Sequence, residues 1–447
     1  MKTMRKASMI TMVMLLVMLL ISACGGSSKN ESAGSGGSSG GSSGANTPAS
    51  TGDSGESGSN ETKEITVFHF KVEIADLFEE MARAYEQEHP GTKVKVETIG
   101  GGADWLSYLK AQFAAGQGPD IFVVEGPGQA KLWREYMLPL NDEPWVEHSL
   151  DFAKQAMTFD GELLAMPYTI EGLGLVYNKK IFEEVGITEL PRTISELRAV
   201  CEKLRDAGYQ PIATGFAEWW VIGMHFINLP FAQQDDPDQF MADLTAGKTT
   251  IAENPIFQQF KNILDLMIEF GDASPLTNDY NTQVAMFANG QAAMMHQGNW
   301  TEATIYGIDP NLQVGVMPVP LNDDAEKMDR LEVGVPLNWV VNKQSKYPEA
   351  AKDFLNWMVN SPTGREYLTK KFQFIPAFDH IEADGTGDIG KDVQKYSKEG
   401  KTIEWSFVKW PDGLTNKFSA ILQGYVGKQY DYDSVLQQLD QAWQELN

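Results

Sequence analysis

Apolar residues recur at helical spacing in several segments of this chain and form short continuous runs in others. Ile74, Phe78, Met81 and Tyr85 fall on one face of a helix. Ile121–Val124 is an uninterrupted apolar run, which predicts a buried strand. Strand and helix patterns alternate to the C-terminus, so the chain is predicted to have an α/β fold with mostly parallel sheets.

The same patterns predict further elements. Caps mark two helix starts, the capping box Thr193–Glu196 and Asn254 before Pro255. Strands are expected at 64–70, 93–99, 173–178, 211–215, 291–296, 312–319 and 333–341, and helices at 348–360, 414–424 and 434–446.

The first 60 residues break this alternation. Three positive residues precede an uncharged apolar stretch at 7–23, which ends in Ser-Ala before Cys24. This order is typical of a lipoprotein signal, so 1–23 is predicted to be a signal peptide and Cys24 to carry the lipid. A signal anchor is the alternative, but the stretch is shorter than the ~20 residues of a membrane span. Residues 24–60 are Gly- and Ser-rich and are predicted to form a disordered tether.

The remaining chain, from residue 61, is too long for one ordinary core, so two lobes are expected. Cys201 is the second of two cysteines and falls on the apolar face of a predicted helix, which indicates a buried structural thiol. The formal charge is −25 and becomes −28 without residues 1–23, which carry three positive charges. Such an acidic body argues against nucleic-acid and anionic partners.

Motifs of catalysis are weak. The six histidines include no pair at the i, i+4 spacing of a zinc site, so no metal and no cofactor is predicted. A Gly-x-Ser-x-Gly match at Gly40–Gly44 lies in the predicted tether, without the strand and helix that this motif requires.

Tryptophans near predicted strand ends give a clearer signal. Open α/β sheets bind ligands beyond the carboxyl ends of their strands. Flat aromatic rings cover the apolar faces of a sugar, and carboxylates accept its hydroxyl hydrogens, so this combination suits a neutral sugar. The tryptophans are Trp105, Trp219, Trp220, Trp300 and Trp339, and the neighbouring carboxylates are Asp104, Glu125, Glu171, Glu218 and Glu302.

Several motifs in order resemble the family 1 extracellular solute-binding proteins of ABC-type sugar importers, to which maltose-binding proteins belong. The motifs are EQEHPGTKV at 86–94, GPDIF at 118–122, MPYTIEGLGLVYNK at 166–179, AMFANGQAAMM at 285–295, GNW at 298–300 and EAAKDFL at 349–355. Each is weak alone, but together they span most of the chain after the tether.

The resemblance implies a two-lobed, type II periplasmic-binding fold that closes on sugar by a hinge. It implies three crossings between lobes, near Thr169–Gly172, Leu312–Val314 and Lys343. The N-terminal lobe would comprise 61–171 and 314–343, and the C-terminal lobe 172–313 and 344–447.

The resemblance also implies site residues. The positions that match the family's ligand contacts are Lys71, Glu73, Glu171, Glu218, Trp220 and Trp300. Glu125 stands near where maltose binders place an aromatic residue and soon afterwards an Asp, so the resemblance does not extend to specificity for maltose. A late aromatic contact is expected from either Trp405 or Trp410.

The implied function is sugar capture and delivery to the transmembrane subunits of an ABC permease, by a monomer anchored to the outer face of a Gram-positive cell membrane. Two alternative functions are also considered. Paired carboxylates could serve a secreted glycoside-active enzyme. The fold could also bind iron or another metal, although the sequence has no paired-tyrosine signature.

Overall fold

The computed structural model describes residues 62–446. The predicted signal peptide, Cys24 and the tether lie outside these residues. Within 62–446, no helix is both long enough and apolar enough to cross a lipid bilayer.

Within residues 62–446, twelve strands make up the sheets. They are β1 Lys63–His69, β2 Thr92–Thr98, β3 Ile121–Val124, β4 Thr158–Phe159, β5 Glu162–Leu163, β6 Met166–Asn178, β7 Gln210–Ala213, β8 Ala292–Gly298, β9 Val314–Met317, β10 Leu331–Val341, β11 Ile375–Pro376 and β12 Thr402–Glu404.

Helices cover the sheet. The α-helices are Ala75–Glu88, Trp105–Ala114, Pro127–Trp133, Asp151–Ala156, Lys179–Val185, Ile194–Asp206, Ile227–Ala232, Pro237–Thr245, Pro255–Phe270, Tyr280–Ala288, Glu302–Ile308, Ala325–Met328, Pro348–Asn360, Pro362–Glu366, Asp388–Lys398, Leu414–Val426 and Tyr432–Leu446. Single-turn 3₁₀ segments include Val72–Ile74, Val146–His148, Asn299–Thr301 and Ser406–Lys409, and π-helical segments are Val221–Phe226 and Tyr367–Lys371.

Both predicted caps are confirmed. The Thr193 side chain accepts from the Glu196 amide, and Glu196 accepts from the Thr193 amide. Asn254 accepts from the amides of Ile256 and Phe257. These bonds satisfy donors that a helix start leaves free, so each helix begins where its sequence signal lies.

The main sheet is mixed, so the prediction of mostly parallel sheets is wrong. Its order is β2-β1-β3-β10-β6-β8-β7, with β9 and β11 on β6 and β12 on β10. The pairs β1–β2, β1–β3 and β7–β8 are parallel, whereas β6 and β10 run antiparallel to each other and to β8 and β3. The reason is that β6 and β10 are long strands that pass from one core to the other. Each therefore runs opposite in direction to the strand beside it, β8 for β6 and β3 for β10.

Two hydrophobic cores flank these crossing strands. The first core, around Phe78, Phe122 and Phe354, takes most of 65–168 and 337–381, while Ala153, Ile375 and Ala377 pack in the second core. The second core, around Phe226, Phe260 and Leu439, takes most of 170–331 and 389–443. Cys201 is buried in the second core, as predicted, and burial raises the pKa of its thiol to about 12.

The chain passes between the cores three times: at 168–170 in β6, at 331–337 in β10, and at 381–389. Near the crossings predicted at Leu312–Val314 and Lys343 the buried residues stay within one core: Val314 and Val316 pack in the second, and Val341 and Ala350 in the first. β9 stays in the second core because it pairs with β6. The helix Pro348–Asn360 returns to the first core, where it buries Phe354 and Met358.

Candidate functional site

A cavity of about 610 Å³, counted out to open solvent, lies between the two cores. This volume falls in the usual range of small-molecule sites. Its lining combines one charged cluster with aromatic residues of both sides: Phe70, Lys71, Val72, Glu73, Gly100, Gly101, Trp105, Glu125, Glu171, Trp219, Trp220, Met224, His225, Tyr280, Trp300, Pro336 and Trp405.

Lys71 is the centre of the charged cluster. It follows β1, and its Nζ lies 2.6 Å and 2.9 Å from the two carboxylate oxygens of Glu171, in the middle of β6. Glu73 contributes an oxygen at 3.4 Å from the same Nζ. Burial opposes the charge on Lys71, but the attraction of Glu171 and Glu73 outweighs it and raises the pKa of Lys71. The ammonium is therefore charged and held by two carboxylates.

Glu125 follows β3 and is held by one side chain. Gln129 Nε2 donates to Glu125 Oε2 at 2.7 Å, and the Glu125 amide donates to Gln129 Oε1 at 3.0 Å. Burial raises the pKa of Glu125 to about 7, while Gln129 and Lys71 oppose the shift and Glu171 adds to it. The carboxyl group therefore titrates near neutral pH.

Trp300 comes directly after β8, on the turn Asn299–Thr301. Its Nε1 donates to Gln297 Oε1 at 3.0 Å, and Lys71 Nζ lies 5.3 Å from its ring centroid. Gly298 allows the ring to sit here, because a Cβ at that position would lie 2.2 Å from Trp300 Cζ3 and 2.4 Å from the Gly172 oxygen. The indole is thus fixed between the strand end and the ammonium.

His225 lies at the centre of an aromatic group that the sequence analysis did not find. Its ring centroid is 5.2 Å from those of Trp220 and Trp300 and 5.6 Å from that of Trp405. Burial lowers the pKa of His225 well below its usual value, and His296 and Lys71 lower it further. The imidazole is therefore neutral, and it belongs to a π-helical segment, a feature frequent at functional sites.

Other lining residues were also missed. Tyr280, at the start of the helix Tyr280–Ala288, packs its ring 5.7 Å from that of Trp220. Phe70 stacks on Trp105 with centroids 4.8 Å apart. An aromatic residue directly after the Asp279 cap was the available signal for Tyr280, and the position of Phe70 just after β1 was the signal for that residue.

The structure brings most predicted residues to this cavity. Those that line it are Lys71, Glu73, Trp105, Glu125, Glu171, Trp219, Trp220 and Trp300. Trp405 lines it as well, whereas Trp410 packs into the second core with its ring 4.7 Å from Phe231.

Four predicted residues lie elsewhere: Trp339, Glu218, Asp104 and Glu302, the last of which is described below. The prediction that Trp339 contacts the ligand is wrong. Its ring is buried in the first core, with its centroid 5.3 Å from that of Phe78, because its position in β10 turns the side chain away from the cavity. Glu218 is buried behind the lining and accepts from the Tyr280 amide at 2.9 Å. Asp104 caps the helix Trp105–Ala114 by accepting from the Ser107 amide at 3.0 Å.

A groove adjoins the cavity, and Asp104 and Trp410 lie along it. The groove shares Trp105, Glu125 and Trp219 with the cavity. Lys110 and Asp412 also line this groove, and they form an ion pair with each other. The two spaces therefore form one continuous surface larger than the cavity alone.

Glu302, beside Trp300 in sequence, has a structural role. Its carboxylate accepts from the amides of Ile389 and Gly390 at 2.7 Å and 3.0 Å, at the start of the helix Asp388–Lys398. Burial raises the pKa of Glu302 to about 7 although these bonds oppose the shift. The contact joins the turn after β8 to the chain just beyond its third crossing.

Comparison with known proteins identifies relatives that match about two thirds or more of this chain. The chain is 27% identical over 314 residues to the maltotriose-binding protein of Pyrococcus abyssi, covering 68% of this chain and 64% of that protein. It is 24% identical over 356 residues to the melibiose/raffinose/stachyose-binding protein MelE of Bacillus subtilis, covering 74% and 79%. The matched part thus spans less than two thirds of the first relative.

Solved structures show the same fold. The raffinose complex of the solute-binding protein RafE superposes with a TM-score of 0.74 at 20% identity, over 86% of this chain and all of that one. A chitin oligosaccharide binding protein gives 0.74 at 21% identity, over 86% and 99%. The predicted α/β, two-lobed type II periplasmic-binding fold is confirmed.

The sequence profile of one family matches residues 71–364, well over half of the chain. This range contains Lys71, Glu171 and Trp300, together with most of both cores. The chain belongs to the family of bacterial extracellular solute-binding proteins.

Proposed function

We propose that this protein captures a neutral sugar or oligosaccharide in the cavity between its two cores and delivers it to the permease of an ABC transporter. The observation that carries the proposal is the lining: five tryptophans stand around a space that also presents Glu73, Glu125 and Glu171. Indole rings cover the apolar faces of a pyranose, and carboxylates accept its hydroxyl hydrogens.

The adjoining groove favours an oligosaccharide over a monosaccharide. Trp105 and Trp219 border both spaces, so a sugar chain that stacks on them can extend from the cavity into the groove. The names of the relatives, which specify maltotriose, raffinose and stachyose, support a ligand of two or more sugar units.

Delivery requires a position next to the permease. We propose that lipid on Cys24 anchors a monomer to the outer face of the membrane, with the folded body carried on residues 24–60. Such a linkage raises the concentration of the receptor at its transporter without any added contact. In a Gram-positive cell, which has one membrane, it would also keep the receptor from being lost.

Titration calorimetry and tryptophan fluorescence on the full chain test this proposal. The panel is glucose, maltose, maltotriose, raffinose and cellobiose. We expect saturable binding of at least one oligosaccharide, with a change in fluorescence because the lining tryptophans meet the ligand. No binding of any neutral sugar, together with binding of an unrelated solute, would overturn the proposal.

Binding without turnover separates this function from a glycoside-active enzyme. The bound oligosaccharide is incubated with the protein and the products are separated by chromatography. We expect the sugar to be recovered intact, and release of shorter sugars would favour the enzyme instead.

A further inference from the structure

Two imidazoles and one carboxylate meet on the first core, away from the cavity. One nitrogen each of His148 and His380 and one oxygen of Asp379 lie within 4.8 Å of one another. None of the three lines the sugar cavity. We propose that these side chains form a binding site for one divalent transition-metal ion, with Zn²⁺ as the ion that the ligand set fits best.

The backbone holds the three ligands together across 231 residues of sequence. Ser149 and Phe378 form an antiparallel bridge, the Asp379 amide donates to the His148 oxygen at 2.9 Å, and the Leu150 amide donates to the Ala377 oxygen at 3.0 Å. Both segments are anchored in the first core. The ligands are therefore presented by a fixed scaffold, which a metal site requires.

His380 supplies the second imidazole of the set. Its Nε2 lies 3.2 Å from Asn360 Oδ1. An amide oxygen only accepts, so this contact places the proton on Nε2 and leaves a lone pair on Nδ1. That Nδ1 is buried and makes no hydrogen bond of ordinary geometry among residues 62–446, although the Val359 backbone also interacts with the imidazole. A ligating histidine commonly donates its other ring nitrogen to a carbonyl in this way.

His148 and Asp379 complete the set. His148 Nδ1 lies 3.2 Å from Asp379 Oδ1, and the rings of His148 and His380 have centroids 4.2 Å apart. A divalent cation would replace the proton that His148 and Asp379 share. Tetrahedral zinc bonds of about 2.0–2.2 Å place neighbouring ligand atoms ~3.3 Å apart. The exposed Asp379 side chain can close the present separation by rotation, and Glu147, 3.6 Å from His148 Nε2, adds negative charge.

The chemistry of the set selects the kind of ion. Two imidazoles with one carboxylate suit Zn²⁺ and related transition metals, whereas Ca²⁺ and Mg²⁺ prefer oxygen ligands throughout. The site lies just before the third crossing of the chain between the cores, which runs from 381 to 389. An ion bound here would tie the turn Val146–His148 to the chain that leads into that crossing.

Calorimetric titration with Zn²⁺ tests the proposal on the full chain, purified without a polyhistidine tag. We expect one Zn²⁺ per chain and a rise in the melting temperature, because the ion binds only the folded state. His148→Gln and His380→Gln should each weaken binding at least tenfold. His89→Gln is the matched control, since His89 stacks on Tyr85 elsewhere on the first core, and it should bind Zn²⁺ like the unaltered chain.

Two results would overturn the proposal: no heat of binding up to 100 µM Zn²⁺, or unchanged affinity in both glutamine variants. Circular dichroism without metal checks that each variant is folded. If either histidine variant is unfolded, Asp379→Asn decides the matter, because the carboxylate is exposed and its replacement keeps the side-chain shape. Loss of binding in Asp379→Asn supports the site, and full binding rejects it.

Discussion

Lys71 Nζ lies 2.6 Å from Glu171 Oε1, so a residue of the first core is bound to the strand that carries the chain into the second core. The side chains are 8% and 2% exposed, which makes this a buried ion pair at the floor of the cavity. Removing one member of a buried pair leaves the other charge uncompensated, so the folded site requires both members together.

Lys71→Met should lower the free energy of unfolding by about 3 kcal/mol, the usual cost of leaving one member of a buried pair alone. Lys71→Met/Glu171→Gln should lose less than Lys71→Met alone, because the second change removes one of the two carboxylates, Glu171 and Glu73, that the loss of Lys71 leaves unpaired. Urea denaturation of the single and double variants measures this. Losses that simply add would show that the two groups are not coupled.

Trp300→Ala should weaken oligosaccharide binding by about 30-fold, since loss of a central aromatic contact costs about 2 kcal/mol. Trp339→Phe is the control, because Trp339 lies in the first core and not at the cavity. It should reduce stability by about 2 kcal/mol while affinity stays within a factor of two or so. Titration calorimetry compares the two, and equal losses of affinity would contradict the assignment.

Gly298→Ala should displace the Trp300 ring, because the added Cβ would meet both that ring and the Gly172 oxygen. We expect a loss of about 1–3 kcal/mol in stability, as overpacking commonly costs, and weaker sugar binding. Gly307→Ala is the matched control, since a Cβ there meets no atom within 4 Å. If Gly298→Ala bound sugar as well as Gly307→Ala, the close contact would not position the indole.

Glu125 should make stability depend on pH. Burial raises its pKa from 4.5 to about 7, so between these values the folded chain binds more protons than the unfolded chain. The contribution of Glu125 is therefore fully present below pH 4.5 and is lost as the pH rises through 7. Glu125→Gln should flatten the fall in unfolding free energy between pH 5 and 7.5, measured by urea denaturation.

The comparison for Glu125 is Glu302→Gln. Glu302 also has a pKa of about 7 but lies away from the cavity lining. The unfolding free energy of both single variants should depend less on pH than that of the unaltered chain, and the effects should add because Glu125 and Glu302 share no hydrogen-bonding or charged partner within 62–446. An unchanged slope in Glu125→Gln would mean that this carboxyl stays ionised.

Cys24→Ala should release the protein into the culture medium with its sugar affinity intact, because the change removes the thiol that the proposed anchor would acylate and alters no residue of 62–446. Immunoblots of medium and membrane fractions, with titration of the released protein, measure this. Retention of Cys24→Ala on the cells would count against the lipid anchor. A Ser22→Ala variant keeps the cysteine and should remain in the membrane fraction.

Much of the fold followed from the sequence because its helices have one apolar face and clear caps. The helix 348–360 and the caps at Thr193 and Asn254 lie where the pattern placed them. The passage in β10 did not follow, since this strand is buried at both ends, in two different cores, and no alternation marks where it leaves one for the other.

The site was predictable in part for the same physical reason. Trp220 and Trp300 follow strands, where ligand sites of α/β sheets lie. Trp339 also sits on a strand, and only the pleat decides which way it points. His225 belongs to a π-helical segment, which the spacing of apolar residues in the sequence does not predict. The proposed metal ligands His148 and His380 are far apart in sequence and are brought together only by the fold.

The two crossing strands also constrain the order in which the chain can fold. The first core needs β10 and residues up to Ile381, so its N-terminal part cannot bury its apolar surface while it emerges from the ribosome. The second core takes segments on both sides of that stretch. Neither core can be completed from one continuous piece, so the two should close together, late in synthesis, and until then the nascent chain stays open enough to be threaded through a secretion channel.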